Sequence, residues 1–145
     1  MIEALQVFTS HWRNPELRDL TATIIGISRG TPRWNPGFRY RILRSLVPCD
    51  EAWNAEDRED YEAAYIRQLE NIGAAAILSD LERIAGDRPA VLLCWERPGD
   101  EFCHRWLLAR YIEREAGIVV PELQPRMLPK RATAQPPLFD ERGGA

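Results

Sequence analysis

The sequence predicts an α/β fold: a single small domain with a mostly parallel sheet flanked by helices, followed by an extended C-terminal tail. Two short segments, residues 21–28 with a continuously apolar centre and residues 90–94 apolar throughout, are typical of strands buried on both faces. Segments with helical spacing of apolar residues alternate with the strands, which is typical of parallel βαβ units. We therefore expect a domain at 1–122 and a proline-rich, disordered tail at 123–145.

The first third of the chain is predicted to hold two strands and little helix. Pro15 suits the first position of a helical turn, and two prolines with two glycines break regular structure after the second strand. The predicted segments are a strand at 5–9, a loop or one helical turn at 13–19, a strand at 21–28, a break at 30–37, a short helix at 39–46 and a connector at 50–54.

The rest of the domain is predicted to be mainly helical. Acidic residues before Tyr61 suit the positive end of a helix dipole, and Gly86 and Gly117 are good helix ends. The predicted segments are a helix around 61–72, a helix at 74–85, a strand at 90–94, a loop at 95–102, a helix at 103–116 and a short strand at 118–120.

Composition limits the class of protein. The chain has 145 residues, 45% of them hydrophobic, which suits one domain with one core. The formal net charge of -3 means that any contact with nucleic acid needs a local basic patch. Three cysteines are an odd number for a disulfide scaffold, and neither a secretory signal nor a membrane-spanning run is seen. We therefore expect a cytoplasmic protein with no membrane partner.

Reactive side chains are concentrated between Cys94 and Arg105. Cys94 ends a predicted strand, Glu96 follows it, and Cys103, His104 and Arg105 begin the next helix. In open α/β sheets, ligands bind beyond the carboxyl ends of the strands. The sequence therefore predicts a functional site at this end of the sheet.

Three kinds of chemistry are open for this site. Cys103 would be a nucleophile, with His104 or Glu96 moving protons. Alternatively, Cys94, Cys103 and His104, with Glu96, would hold a transition metal. In the third case, the helix N-terminus and Arg105 would bind a phosphate or carboxylate.

The residue types alone also allow a simpler interpretation. Cysteine is commonly buried as a small hydrophobe, so Cys94 taken by itself is more often core than ligand. Adjacent Cys103 and His104 do not easily ligate one metal from a regular helix. We therefore assign no metal, and the sequence identifies no cofactor.

Several stretches resemble the family catalogued as domain of unknown function 488. They are residues 25–34, residues 46–51, the helix at 61–69, the segment LLCWERPGDEFCHRWLLA at 92–109 and the segment ending Val119-Val120-Pro121-Glu122. Members of that family carry a Cys-x-Glu followed by Cys-His-Arg, and the resemblance spans roughly residues 5–122. It implies an α/β fold and a functional cluster at Cys94, Glu96, Cys103, His104 and Arg105, but it supplies no substrate.

Further residues are predicted to bind substrate at the same site. Many family members have an apolar or small residue where this chain has Trp95, which would narrow the pocket or add a stacking surface. Arg29 follows a buried strand and would face the same site as Arg105. We place Arg105, Arg29, Trp95 and Arg33 in an anion- and substrate-binding set.

A weaker pattern indicates nucleic acid. Arginines interleaved with aromatic residues are typical of proteins that bind single-stranded nucleic acid. The stretch at 29–44 contains five arginines: Arg29, Arg33, Arg39, Arg41 and Arg44. The alternative is a solvated helix face with Phe38 and Tyr40 packed inward. In the tail, Gln135, Leu138 and Phe139 resemble the short peptide by which bacterial proteins bind the sliding clamp.

The expected function is an enzyme-like α/β domain that binds a small or nucleotide-like anionic substrate at the Cys-x-Glu and Cys-His-Arg residues. Cys103 is then the candidate nucleophile, His104 or Glu96 the acid/base, and Arg105 the anion clamp. The alternative is a non-catalytic, nucleic-acid-associated adaptor that contacts DNA or the sliding clamp.

Overall fold

A four-stranded, all-parallel sheet forms the centre of the computed structural model, which describes residues 4–96 and 103–130. The strands are β1 (Val7–His11), β2 (Thr23–Gly26), β3 (Arg41–Ile42) and β4 (Ala90–Cys94), in the spatial order β1-β4-β2-β3. β4 lies between β1 and β2, so that Leu92 is in register with both Thr9 and Ile25. The parallel sheet with helices around it confirms the predicted α/β fold.

Within the described ranges, four α-helices pack on one face of the sheet: α1 (Asp50–Trp53), α2 (Arg58–Ile72), α3 (Ala74–Ala85) and α4 (His104–Ala116). The Asp57 carboxylate accepts a hydrogen bond from the Asp60 amide at 2.8 Å and so caps the start of α2. Gly73, with a φ of +90°, ends α2 and precedes α3 directly. α4 follows β4 and carries its first residues to the same end of the sheet.

The two faces of the sheet are covered by different kinds of structure. Leu92 packs with Tyr65 and Leu108 under the helices. Its neighbours Val91 and Leu93 point to the other face, where Trp12 and other loop residues cover them. Because both faces are covered, every residue of β4 is buried, which explains its uninterrupted apolar sequence.

The predictions for residues 39–46 and 50–54 were wrong. In place of a short helix, Arg41 and Ile42 form β3 beside Ile25 and Gly26, and only Arg44–Leu46 form a 3-10 turn. Pairing with the sheet overrides the local preference. The expected connector is the one-turn helix α1.

The C-terminal part of the described chain packs against the sheet. Residues 118–120 are not a strand, but the Thr9 amide donates to the Pro121 carbonyl at 3.0 Å and the Leu123 amide donates to the Thr9 carbonyl at 2.7 Å. Leu123 and Leu128 are both buried. The packed structure therefore continues to residue 130 rather than ending at 122.

Some predicted features lie outside the described residues. These are positions 97–102 of the predicted loop and the tail residues Gln135, Leu138 and Phe139. Within the described ranges, no helix is long and apolar enough to cross a bilayer.

Candidate functional site

A cavity of about 160 Å³ lies at the carboxyl ends of β2 and β4, beside the start of α4. Its lining comes from the two strand ends, from α1 and from α2, and consists of Ser28, Arg29, Gly30, Trp53, Tyr61, Cys94, Trp95, Glu96, Cys103 and His104. The site therefore lies where the open α/β architecture predicts it.

Two thiols and an imidazole meet at the base of this cavity. One ligand atom from each of Cys94, Cys103 and His104 lies within 4.8 Å of the others. The three residues are 4%, 2% and 5% exposed, respectively. We call these three residues the Cys–Cys–His cluster.

The orientation of the His104 ring is fixed by the main chain. Nε2 lies 2.7 Å from the Ile27 carbonyl oxygen. A carbonyl only accepts hydrogen bonds, so Nε2 carries the proton that it donates. Nδ1 then faces Cys94 Sγ at 3.5 Å, and the ring of Tyr65 packs edge-on at 5.2 Å between centroids.

The backbone at Cys103 brings adjacent side chains together. Cys103 is the N-cap of α4, with a φ of -150° and a ψ of 141°, and is therefore extended rather than helical. Adjacent residues of a regular helix do not easily ligate one metal ion, but this argument does not apply here. Cys103 precedes the helix, and only His104 belongs to it.

The two thiols differ in acidity. Burial by itself raises the pKa of Cys103, but hydrogen bonding with Cys94 and His104 and the positive charge of Arg105 outweigh it and lower the pKa to about 6. The pKa of Cys94 is raised by its hydrogen bond to Cys103, by burial and by the negative charges of Cys103 and Glu96. Cys103 is therefore the more acidic of the two thiols.

Arg105 contacts the sulfur of Cys103 but does not line the cavity. Its side chain is 0% exposed and donates from Nη1 to Cys103 Sγ at 3.3 Å. It also donates to Glu122, from Nε at 3.1 Å and from Nη2 at 2.9 Å. Because Glu122 already neutralises it, the geometry does not favour the anion-clamp role that we expected for Arg105.

Glu122 is a residue of this site that the sequence-based residue set missed. Thr9 and Trp106 also donate to its carboxylate, at 2.6 and 3.1 Å. Burial by itself raises the pKa of Glu122, but the hydrogen bonds from Arg105, Thr9 and Trp106 lower it below 4.5. Glu122 ends the segment at 119–122 that the sequence singled out, but its own residue type and neighbours gave no sign that it belongs to the site.

Aromatic rings and one arginine form the walls of the cavity. Trp95 Nε1 donates to the Gly30 carbonyl at 3.0 Å, which fixes the indole against the loop after β2. Arg29 donates to the Pro48 carbonyl at 3.0 Å and lies over the Trp53 ring at 5.3 Å. Sequence reasoning missed Trp53 and assigned Tyr61 only to a helix stripe, since neither lies near the motif in the chain.

The remaining sequence-predicted site residues divide into two groups. Glu96 lines the cavity and accepts a hydrogen bond from Cys94 Sγ at 3.3 Å. Arg33 is exposed and does not line the cavity. The structure therefore brings together Cys94, Glu96, Cys103, His104, Arg29 and Trp95, with Arg105 directly behind them.

The arginine-rich stretch from Arg29 to Arg44 is mostly irregular chain rather than a helix face. Phe38 and Tyr40 are partly buried and pack against Trp12, with ring centroids 6.3 and 4.8 Å away. Both rings therefore take part in internal packing. The alternative to nucleic-acid binding predicts that these two rings pack inward.

Comparison with known proteins adds no assignment. No protein-family model, curated protein or solved structure matches this chain.

Proposed function

We propose that this protein is an enzyme-like α/β domain that binds a small, flat, anionic molecule in the cavity and transforms it at the Cys–Cys–His cluster. The observation that carries the proposal is the make-up of one cavity: reactive groups form its base and aromatic side chains form its walls. Enclosed sites with apolar walls and a few convergent polar groups are the usual form of small-molecule sites.

The size of the cavity supports a small substrate. Its volume of about 160 Å³ is well below that of pockets for drug-sized ligands. Engineered cavities of about 150 Å³ hold a single benzene ring. One ring, with its substituents directed toward the opening, is therefore the size of molecule that fits.

The walls support a flat molecule with a negative group. Trp53, Tyr61 and Trp95 offer ring faces and edges for stacking. Arg29 lines the same cavity, and its ion partner Asp50 has a side chain that is 88% exposed. Such an exposed ion pair contributes little, so a carboxylate or phosphate of the substrate can replace Asp50.

The base of the cavity supports chemistry rather than binding alone. Cys103, with its lowered pKa, lies in the cavity lining beside His104, and Glu96 offers a carboxylate at the edge of the cavity. Convergent groups of this kind perform acid/base and nucleophilic work.

Benzoate is a suitable probe, because it has one flat ring and one carboxylate. Two control ligands separate these properties: cyclohexanecarboxylate has the charge without the flat ring, and benzamide has the ring without the charge. We expect benzoate to quench tryptophan fluorescence through Trp53 and Trp95 at lower concentration than either control. Equal response to all three ligands, or no response, would refute the proposal.

Arg29→Gln tests the position of the anion. We expect benzoate to bind about tenfold more weakly, which corresponds to the loss of one charge-assisted hydrogen bond. Arg83→Gln is the matched control, because Arg83 also pairs with an aspartate, Asp80, but lies on α3 away from the cavity lining. Equal affinities in the two variants would exclude Arg29 as the anion-binding residue.

A further inference from the structure

We infer that Cys94, Cys103 and His104 bind one zinc-type divalent metal ion, with the open coordination position facing the cavity. The inference concerns the site of the proposed function and rests on that function for its role in a reaction. The binding itself does not depend on a substrate and is tested without one.

The donor atoms suit such an ion. Two thiolate sulfurs and one imidazole nitrogen are a usual three-residue set for catalytic zinc, which keeps a fourth position for water or substrate. Sulfur donors disfavour magnesium and calcium, which prefer oxygen ligands. The set therefore selects for zinc and metals of similar chemistry.

The distances fit tetrahedral coordination. Bonds of about 2.3 Å to sulfur and 2.0 Å to nitrogen at a tetrahedral angle place the two donor atoms roughly 3.5 Å apart. The measured separation of Cys94 Sγ and His104 Nδ1 is 3.5 Å. All three donors lie within 4.8 Å, so closing on an ion requires only a small movement of Cys103.

The surroundings are those of a metal-binding histidine. Ligating histidines usually donate their other ring N–H to a carbonyl or carboxylate, which fixes the free nitrogen toward the metal. Here Nε2 donates to the Ile27 carbonyl at 2.7 Å, and Nδ1 points into the cluster. The Arg105 guanidinium donates to the Cys103 sulfur, which stabilises a thiolate there.

Charge balance also favours a cation. When an ion displaces the protons of both thiols, two negative charges lie close together in a buried site, and such charge is costly unless it is compensated. Arg105 donates to Cys103 Sγ but is itself paired with Glu122, so it compensates only part of the charge of two thiolates. A divalent ion bound by two thiolates and a neutral imidazole gives a neutral centre.

The open position would face the substrate cavity. Cys94, Cys103 and His104 all line that cavity, so an ion bound by these three residues is reached from the cavity. Glu96 stands beside Cys94 at the same opening. In this arrangement Cys103 is a metal ligand, and a substrate reaches the metal instead of the sulfur.

Metal titration of the reduced, chelator-treated full chain tests the inference. We expect one equivalent of Co²⁺ to bind and to give the visible absorption of a tetrahedral site with sulfur-to-metal charge transfer, and one equivalent of Zn²⁺ to displace it. We expect Cys94→Ser, Cys103→Ser and His104→Gln to lose affinity by more than the roughly 10–100-fold seen for outer partners. His104→Gln keeps an amide donor for the Ile27 carbonyl.

Cys49→Ser is the matched control, because Cys49 is a free, partly buried thiol outside the cluster. It should keep full binding. No binding by the wild type, binding that survives loss of Cys94 or Cys103, or binding that is lost with Cys49 would each overturn the inference.

Alkylation of the wild type avoids dependence on variants that fail to fold. With Zn²⁺ present, mass spectrometry should show Cys49 modified by iodoacetamide while Cys94 and Cys103 are protected. Because burial also slows their alkylation, the measured quantity is the rate for Cys94 and Cys103, which a chelator should raise; equal rates with and without chelator would contradict the metal site. Protection that a reductant releases, but a chelator does not, would indicate a Cys94–Cys103 disulfide and refute the metal site. Benzoate binding without metal binding would refute the metal site and leave the proposed function intact. Metal binding without benzoate binding would support the metal site and refute the proposed function.

Discussion

Replacing Glu122 by glutamine tests whether the ion pair behind Cys103 holds the C-terminal segment on the domain. Arg105 is 0% exposed, and the Glu122 carboxylate is the negative group that receives its Nε and Nη2 donors. Glutamine has nearly the same shape but no charge, so the variant leaves a buried guanidinium without its counterion. We expect a large loss in the free energy of unfolding.

The magnitude follows from the burial of the pair. Removing one partner of a buried ion pair costs about 3–5 kcal/mol. The Glu122 side chain is 16% exposed, so water reaches part of the site and the lower end of that range applies. A loss of about 3 kcal/mol is a large share of the roughly 5–15 kcal/mol that stabilises a typical domain. At 2–4 °C per kcal/mol, Tm should fall by about 10 °C.

Urea unfolding and calorimetry measure this loss, with Glu115→Gln as the matched control. Glu115 pairs with Arg114 at the surface, so its variant should change stability by less than about 0.5 kcal/mol. The double variant Arg105→Met/Glu122→Gln removes the unpaired charge and should recover part of the loss. A loss below about 1 kcal/mol in Glu122→Gln would refute the reasoning.

The same variant gives a pH signature. The pKa of Glu122 is lower in the folded protein than its ordinary value of 4.5, so its ion pair stabilises the fold above that pH. This stabilisation is lost as the pH falls through the lower folded-state pKa. The difference in stability between wild type and Glu122→Gln should therefore shrink as the pH drops below 4.5. A constant difference would show that charge is not the cause.

Two further substitutions test the packing around the sheet. A Cβ on Gly26 would lie 2.7 Å from both Ile42 Cδ1 and Trp12 Cζ2. Gly26→Ala should therefore lower the free energy of unfolding in urea by about 1–3 kcal/mol. An unchanged urea midpoint would contradict this packing. Leu128→Ala should lower the free energy of unfolding by about 2 kcal/mol because Leu128 is buried against the sheet. Met127→Ala is the control and should change it little, because the neighbouring Met127 is exposed. Equal losses in the two variants would show that the segment does not pack on the sheet as described.

Segments whose own sequence decides their structure were predicted well. The helix at 74–85 and the strand at 90–94 have the bounds that the sequence indicated, because helical spacing ends at Gly86 and the following run is apolar throughout. The convergence of Cys94, Glu96, Cys103 and His104 followed from the rule that parallel strands end at one edge.

Features that depend on distant partners were not predicted. Residues 39–46 look helical locally, but two of them pair with β2. Glu122 has no local sign of burial, and its role depends on Arg105 reaching it across the start of α4. Trp53 lies on a four-residue helix far from the motif in sequence, so only the fold shows that it lines the cavity.

The position of β4 also sets the order in which the molecule can be assembled during synthesis. β1 and β2 are made early but bond to each other only through β4, which begins at Ala90. Translation adds about 5–20 residues per second, so β1 and β2 remain without the strand that joins them for several seconds or more. A fragment that stops before Ala90 therefore lacks the strand that joins the two halves of its sheet.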